Sequence, residues 1–319
     1  KMDFYGVFVQ DQWSLLKNKL VFHAALRADL VRFYDGNFHI YSPTLATEFL
    51  YNYHGDYSSK QWYAVSPKAG VKYIFNENYE IYTLFSWGFR PPQINDLSRT
   101  GDVNKGFKLA NPDLKPEHIQ SIELGAGIRP AQWLLMQPVF FYSVGSNFQY
   151  FVSTGDSVYT SGTNMKPVIK RQNVGRVNIA GFEFKTQINF TKNIHLTACY
   201  SFNHSVIGKY EMDSNAVADL TGKFLIEIPK NLVSGVFVWN NKIVNTSVTA
   251  KFIDKEWVDD DNTIQLDSYY VVDAKLQRMF YNKINCALIC QNIFNKRFVD
   301  SKGYLSPGRY FLIEVSFAW

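Results

Sequence analysis

Alternating polarity in the last thirteen residues constrains the fold more than any other stretch. The stretch reads PGRYFLIEVSFAW and ends on an aromatic side chain. One alternate row is wholly apolar, whereas the other is mixed and includes Glu314 and Ser316; the apolar row is Phe311, Ile313, Val315, Phe317 and Trp319. A period of two predicts a β-strand with unlike environments on its two faces. A strand between lipid and a watery lumen has this pattern, and so does a strand of a soluble sandwich.

The composition is rich in aromatic residues but only modestly hydropathic. Phe, Tyr and Trp number 26, 20 and 7, which is typical of aromatic girdles at membrane interfaces and of ligand-stacking loops. The mean hydropathy is −0.18, because alternating strands never build a continuous apolar run. Residues 130–155 carry no charged side chain. Pro138 and several amide side chains interrupt this stretch, however, which argues against a membrane-spanning helix.

Charge and cysteine usage exclude several classes of protein. The net charge is +5 and the basic residues are scattered, so nothing favours nucleic acid as a partner. The three cysteines, Cys199, Cys286 and Cys290, lack CxxC spacing and are predicted to be buried free thiols.

Thirteen strand-like segments follow one another along the chain. Tight polar turns are predicted near residues 15–19, 76–78, 130–132, 191–193, 240–242 and 282–283. Long connections are predicted at 34–60, 91–115, 154–167, 205–230, 256–267 and 299–306. Short turns on one rim and long loops on the other are the layout of an outer-membrane barrel.

The polar rows of these strands predict a wide, wet interior. Glu183, Lys185, Gln187 and Asn189 alternate with apolar neighbours in one strand, and similar rows recur in others. A small barrel or sandwich would fill its inside with apolar side chains, because burying an unpaired polar group costs about 2 to 7 kcal/mol. Single-chain bacterial barrels have an even number of antiparallel strands, so thirteen segments predict a barrel of which part is missing.

Five pieces of the chain, in order, resemble the TonB-dependent outer-membrane receptors. The most specific are FSWGFRPPQINDL (Phe85–Leu97) and NPDLKPE (Asn111–Glu117), and their motif residues are Arg90, Pro91, Pro92, Asn111, Pro112 and Glu117. Three more pieces are NVGRVNIAGFEF (Asn173–Phe184), YVVDAKLQRMF (Tyr270–Phe280) and NIFNKRFVD (Asn292–Asp300). The closing strand resembles the family's insertion signal at Phe317 and Trp319, although the family usually ends on Phe.

The resemblance implies an all-β fold, a transmembrane antiparallel β-barrel of 22 strands, of which this chain supplies about 13. Residues 1–319 would form one domain, the C-terminal portion of the barrel, incomplete at its N-terminal side. On this resemblance, the family's plug domain and TonB box are expected to lie outside the given sequence. The resemblance also implies a place in the bacterial outer membrane, with outer-membrane lipid and the barrel-assembly machinery as partners, and coupling to the TonB system through a plug carried elsewhere.

The implied function is TonB-energised uptake of a scarce metal chelate, with an iron–siderophore preferred and cobalamin as the alternative. No cofactor and no enzyme activity are expected. A passive porin or adhesin remains an alternative, and so does an outer-membrane hydrolase, although the chain has no GxSxG or HExxH motif. No His occurs between Gln93 and Ala110, which argues against haem as the ligand.

Two predicted loops supply the candidate ligand-binding residues. One candidate set lies between the two strongest motifs and consists of Arg99, Asp102, Lys105 and Lys108, although loops are polar by default. The other set is aromatic and consists of Tyr51, Tyr53, His54 and Tyr57, although an interfacial girdle explains these residues better than stacking on a ligand does. The acidic run Asp259, Asp260 and Asp261 is a weak candidate for calcium, since consecutive acids usually mark a solvated loop.

Overall fold

Thirteen long strands pair in chain order in one antiparallel sheet, as the sequence predicts. The computed structural model describes residues 1–36, 58–103, 106–161, 164–210, 219–281, 283–301 and 304–317. Within them the sheet runs, strand by neighbouring strand, through β1 (Met2–Leu15), β2 (Leu20–Phe33), β3 (Lys60–Asn76), β4 (Tyr79–Arg90), β7 (Glu117–Ala131), β8 (Leu134–Ser161), β9 (Asn164–Thr191), β10 (Ile194–Lys209), β11 (Asn231–Trp239), β12 (Asn245–Ile253), β15 (Tyr269–Phe280), β16 (Ile284–Gln291) and β19 (Tyr310–Phe317).

The short elements all lie in the long connections at one end of the sheet, which we call the loop rim. They are α1 (Ile94–Ser98), β5 (Gly101–Val103), β6 (Gly106–Leu109), β13 (Glu256–Trp257), β14 (Gln265–Leu266), β17 (Val299–Ser301) and β18 (Tyr304–Leu305). The opposite end, the turn rim, carries the tight turns after β1, β3, β7, β9, β11 and β15. Across the described residues, no helix is both long and apolar enough to span a bilayer.

The two faces of the sheet differ as the alternation predicts. On one face Phe140 pairs with Leu124 and Phe182, and the Phe140 and Phe182 ring centroids are 4.7 Å apart. Phe140 and Leu124 are nevertheless 57% and 50% exposed, because no described residue covers these two side chains. On the other face the Lys275 ammonium lies 3.0 Å from the Glu314 carboxylate. The sheet therefore has one exposed apolar face and one polar face.

The closing strand has the arrangement predicted from its sequence. Ile313 pairs with Leu288 of β16 on the apolar face, and Phe317 pairs with Ile284 on the same face. Glu314 pairs with Ala287 on the polar face. Trp319 lies outside the described residues.

The prediction of a long connection at 154–167 is wrong. β8 extends to Ser161 and β9 begins at Asn164, so most of this range is strand. Gly155 has a φ of +85°, and the strand register shifts between Ser153 and Ser157, so the turn-forming residues there make an irregularity within the hairpin. Val158 and Val168 of this extension pack into a buried cluster with Phe107 and Leu109. That burial holds an otherwise polar segment in the sheet.

Candidate ligand-binding site

The polar face of the sheet is concave and encloses a cavity of about 380 Å³. Its lining comes from β4, β8, β9, β10 and β11 and includes Tyr82, Gln137, Glu183, Lys185 and Ser234. Side chains from strands this far apart border one space only on the inner side of a curved sheet. The predicted polar lining is therefore present. Cys199 borders the same cavity and, like Cys286 and Cys290, is a free thiol, although all three are half-buried rather than buried.

Lys108, predicted as a ligand contact, is instead buried in an ion pair beneath the loop rim. Its ammonium lies 2.6 Å from Asp96 Oδ1 and donates to the Asn95 carbonyl oxygen at 2.7 Å. The Lys108 and Asp96 side chains are only 6% and 7% exposed. The Lys108 ammonium is therefore paired within the protein in this structure, and its role as a ligand contact stays a prediction.

Arg171 of β9 completes this buried cluster. Its Nε lies 3.2 Å from Asp96 Oδ2, and its guanidinium carbon stacks 4.2 Å from the centre of the Phe151 ring. The Arg171 Nη1 donates to the Gln149 carbonyl oxygen at 3.0 Å. A buried carboxylate that contacts two cations is compensated for its desolvation, so the cluster fixes α1 and β6 against β9.

Backbone pairing reinforces the same clamp. β6 runs parallel to β9, with Phe107 opposite Val168. This approach requires Gly106, where an added Cβ would collide with the Pro167 carbonyl oxygen. The loop between the two strongest motifs is thus a packed cover on the loop rim rather than a free ligand-capturing arm.

The motif residues meet at the base of this cover. Arg90 at the end of β4 forms an ion pair with Glu117 at the start of β7, and Glu117 Oε1 also accepts from the Gln149 backbone N–H at 2.8 Å. The hydrogen bond to the Glu117 carboxylate raises the pKa of Arg90 above its ordinary value, although partial burial acts in the opposite direction. Asn111 donates from its backbone to the Asp96 carbonyl oxygen and from its side chain to the Arg171 carbonyl oxygen, both at 2.8 Å.

The proline residues of the motif suit this base as rigid supports. Pro92 and Pro112 are buried, and Pro91 is half-buried. Proline fixes φ and cannot donate to the ladder, so Pro91 and Pro92, which directly follow β4, end that strand at a defined point.

Two of the remaining predicted ligand residues of this loop, Arg99 and Asp102, lie within the described residues. Arg99 is exposed after α1. Asp102 of β5 forms an ion pair with Lys166 of β9, with Nζ 2.5 Å from Oδ1. Lys105 lies outside the described residues, and so does the aromatic set Tyr51, Tyr53, His54 and Tyr57.

The acidic run near β13 organises its own loop. Asp259 accepts from the Ile264 backbone N–H at 2.6 Å and from the Thr263 backbone N–H at 3.0 Å. Burial raises the pKa of Asp259, but these hydrogen bonds outweigh it and lower the pKa below its ordinary value. Asp260 and Asp261 gather no further His, Cys, Asp or Glu into a metal-binding group within the part of the chain that the structure describes.

A second cavity, of about 300 Å³, lies at the loop rim on the polar face, and sequence reasoning missed it. We call it the rim cavity, and its lining consists of Asn203, Ser205, Phe224, Ile228, Lys230, Asp254, Lys255, Trp257 and Gln265. Asn262 closes one side by bonding both backbone groups of Phe224, with Oδ1 accepting at 2.6 Å and Nδ2 donating at 3.1 Å. The alternation of β10 already places Asn203 and Ser205 on the polar face, which is the signal that could have found them.

Carboxylates crowd the rim beside this cavity. Burial, followed by the nearby charges of Glu227 and Asp300, raises the pKa of Glu256 above its ordinary value. Burial also raises the pKa of Tyr150, and the charges of Asp260 and Glu117 add to the effect. The Asp260 charge therefore lies near enough to Tyr150 of β8 to affect its pKa.

Comparison with known proteins gives a consistent set of matches. A family model described as "TonB dependent receptor-like, beta-barrel" matches residues 1–293. The ferrioxamine receptor of Yersinia enterocolitica is 24% identical over 217 residues, which are 66% of this chain and 26% of that receptor. The "Probable TonB-dependent siderophore receptor PiuA" of Acinetobacter baumannii is 23% identical over 276 residues, which are 80% of this chain and 34% of that protein.

Solved structures share the fold. The crystal structure of the siderophore receptor PiuA from Acinetobacter baumannii aligns with a TM-score of 0.73 and 19% identity, covering 99% of this chain and 43% of that one. The chain therefore spans about a quarter to a third of the curated relatives named here, and under half of the solved structure.

Proposed function

This chain belongs to the TonB-dependent receptor family, and on that premise we propose that it forms barrel wall in an outer-membrane receptor for an iron–siderophore. The carrying observation is the sheet with two unlike faces, one exposed and apolar and one concave and polar. The names of the ferrioxamine receptor and of PiuA support a siderophore as the cargo. The proposal keeps the predicted domain organisation, in which residues 1–319 are the C-terminal portion of the barrel.

The apolar face suits contact with the hydrocarbon of a bilayer. A tilted transmembrane β-strand needs about 9–11 residues. β11 and β12 have 9 residues each, whereas β8 and β9 have 28 each. The long hairpin then crosses with its turn-rim half and projects with its loop-rim half beyond the membrane, on the side that meets the ligand.

The concave face suits a path filled with water and protein rather than lipid. A charged pair such as Lys275 with Glu314 loses little hydration next to water, whereas its transfer into hydrocarbon has a large desolvation free energy. In the proposed mechanism this wall stays rigid and the loop rim captures the chelate. A plug domain outside this sequence, coupled to TonB, then moves and opens a path for the chelate through the barrel. The mechanism involves no covalent reaction of the chelate.

A growth-rescue experiment tests the proposed cargo. The gene for the full-length receptor that contains this chain is deleted, and cells are starved of iron and supplied with single purified ferric siderophores. We expect at least one siderophore to restore growth only when the intact gene is returned. Equal growth of deleted and complemented cells on every siderophore, with loss of cobalamin-dependent growth instead, would move the cargo to cobalamin.

A further inference from the structure

Ser205 leaves an unpartnered hydroxyl at the wall of the rim cavity. The residue is 3% exposed, and its Oγ has no hydrogen-bond partner among the residues that the structure describes. Most buried side-chain polar atoms in proteins have a partner, and leaving one without carries a desolvation cost. Because Ser205 lines the rim cavity, a group that enters the cavity can supply the missing hydrogen bond.

The other lining residues define what that group is. Lys255 pairs with no carboxylate in the described part of the chain, so its ammonium is available to an anion. Asp254 also lines the cavity, and both of its oxygens already accept hydrogen bonds, Oδ2 from Asn231 Nδ2 at 2.5 Å and Oδ1 from the Lys255 backbone N–H at 2.9 Å. The cavity therefore offers a cation and a hydroxyl for an oxyanion.

Aromatic and amide side chains complete the lining. Trp257 and Phe224 provide flat apolar surfaces, and aromatic rings pack favourably against such surfaces in offset or edge-to-face arrangements. Asn203 and Gln265 can donate to or accept from ring substituents. The volume of about 300 Å³ is at the small end for ligand pockets, which limits the guest to a single ring with its substituents.

We propose that the rim cavity binds a small aryl acid, with its ring against Trp257 and its carboxylate or phenolate oxygen held by Lys255 and Ser205. If the bound aryl acid is an arm of the transported chelate, the cavity takes part in chelate capture, and that part of the inference rests on the proposed function. Binding of the isolated aryl acid does not depend on transport and is tested on its own.

Titration calorimetry on the full-length receptor in detergent, with salicylate as the probe, tests the site. Cyclohexanecarboxylate, which lacks the flat ring, and benzyl alcohol, which lacks the charge, serve as comparison ligands. We expect salicylate to bind and both comparison ligands to bind at least about tenfold more weakly, because each loses one of the two contacts.

Single substitutions locate the binding. Ser205→Ala and Lys255→Gln are each expected to raise the Kd of salicylate about tenfold. Ser247→Ala and Lys251→Gln, on the polar face of neighbouring β12, should leave the Kd unchanged. The Tm of Ser205→Ala should not fall, because the removed hydroxyl has no protein partner, and this separates a binding role from a structural one.

Three results would overturn the site: no salicylate binding at millimolar concentration, an unchanged Kd in both cavity variants, or a lowered Tm with an unchanged Kd in Ser205→Ala. The last result would mean that water satisfies the hydroxyl. Salicylate binding with the expected variant effects, in a receptor that takes up no iron chelate, would support the cavity and contradict the proposed function.

Discussion

The Lys108 ammonium nitrogen lies 2.6 Å from Asp96 Oδ1, and both side chains are more than nine-tenths buried. The pair joins β6 to α1, and Arg171 ties the same carboxylate to β9. The cover that these residues hold stands directly above the base formed by Arg90 and Glu117. The conspicuous motifs therefore mark how a large loop is anchored to the barrel rim.

Removing one partner of the buried pair should loosen the cover. Lys108→Met leaves the Asp96 carboxylate buried with only Arg171 nearby, and breaking a buried pair in this way costs about 3–5 kcal/mol. Hydrogen exchange at the Phe107 and Leu109 amides should report that loss as local opening.

The exposed pair in the same region provides the matched control. Lys166 and Asp102 are 32% and 52% exposed, so Lys166→Met should cost no more than about 1 kcal/mol. Equal effects of the two lysine substitutions would mean that the buried pair does not anchor the cover.

Asn262 should hold the two connections beside the rim cavity together. Asn262→Gly suits the φ of +55° but removes both bonds to Phe224, which should cost about 1–3 kcal/mol and speed exchange of the Phe224 amide. Asn147→Gly is the control, since Asn147 has a φ of +57° and its side chain makes no hydrogen bond within the described residues. Unchanged exchange at Phe224 would show that the tie is not needed.

The loop around Asp259 should lose protection in acid. Its hydrogen bonds outweigh burial and lower its pKa below the unfolded value of about 3.9. The stabilisation is therefore complete above that value and is lost as the pH falls through the lower, folded pKa. The protection factor of the Ile264 amide should decline over that acid range, and Asp259→Asn should flatten the decline. Protection that rises on acidification would contradict the assignment.

Neighbouring residues on opposite faces should respond differently to a charge. Leu124→Arg places a cation on the exposed apolar face, at a cost on the order of 2–4 kcal/mol if that face meets the bilayer midplane. Glu123→Arg places the same side chain on the polar face and should be tolerated. The measurement is the free energy of folding into lipid vesicles, determined for each variant of the full-length receptor. Equal costs would mean that the apolar face does not contact lipid.

The strands of this fold are predictable because alternation is a local signal. The sequence alone predicts that Ile313 and Glu314 lie on opposite faces of the sheet, and the strand register confirms this. The segment around Gly155 misled the prediction because Gly, Ser, Thr and Asp are ordinary turn formers. What keeps it extended is burial of Val158 and Val168 against β6, a contact between distant parts of the chain.

The site was harder to predict than the strands for the same reason. Lys108 in a polar loop has the appearance of a ligand contact, and only the fold shows Asp96 and Phe151 enclosing it. For Ser205, the alternation in the sequence predicts its place on the polar face. The sequence does not show that its hydroxyl is buried without a hydrogen-bond partner in the described structure. Environments built by three or more segments leave no mark in any one of them.

Uptake of radiolabelled ferric siderophore tests the central proposal most directly. Cells that carry the full-length receptor are compared with otherwise identical cells that lack TonB, and surface binding and internal iron are measured separately. We predict that binding is retained and accumulation is lost without TonB. Equal accumulation in both strains would contradict energised uptake and favour a passive pore.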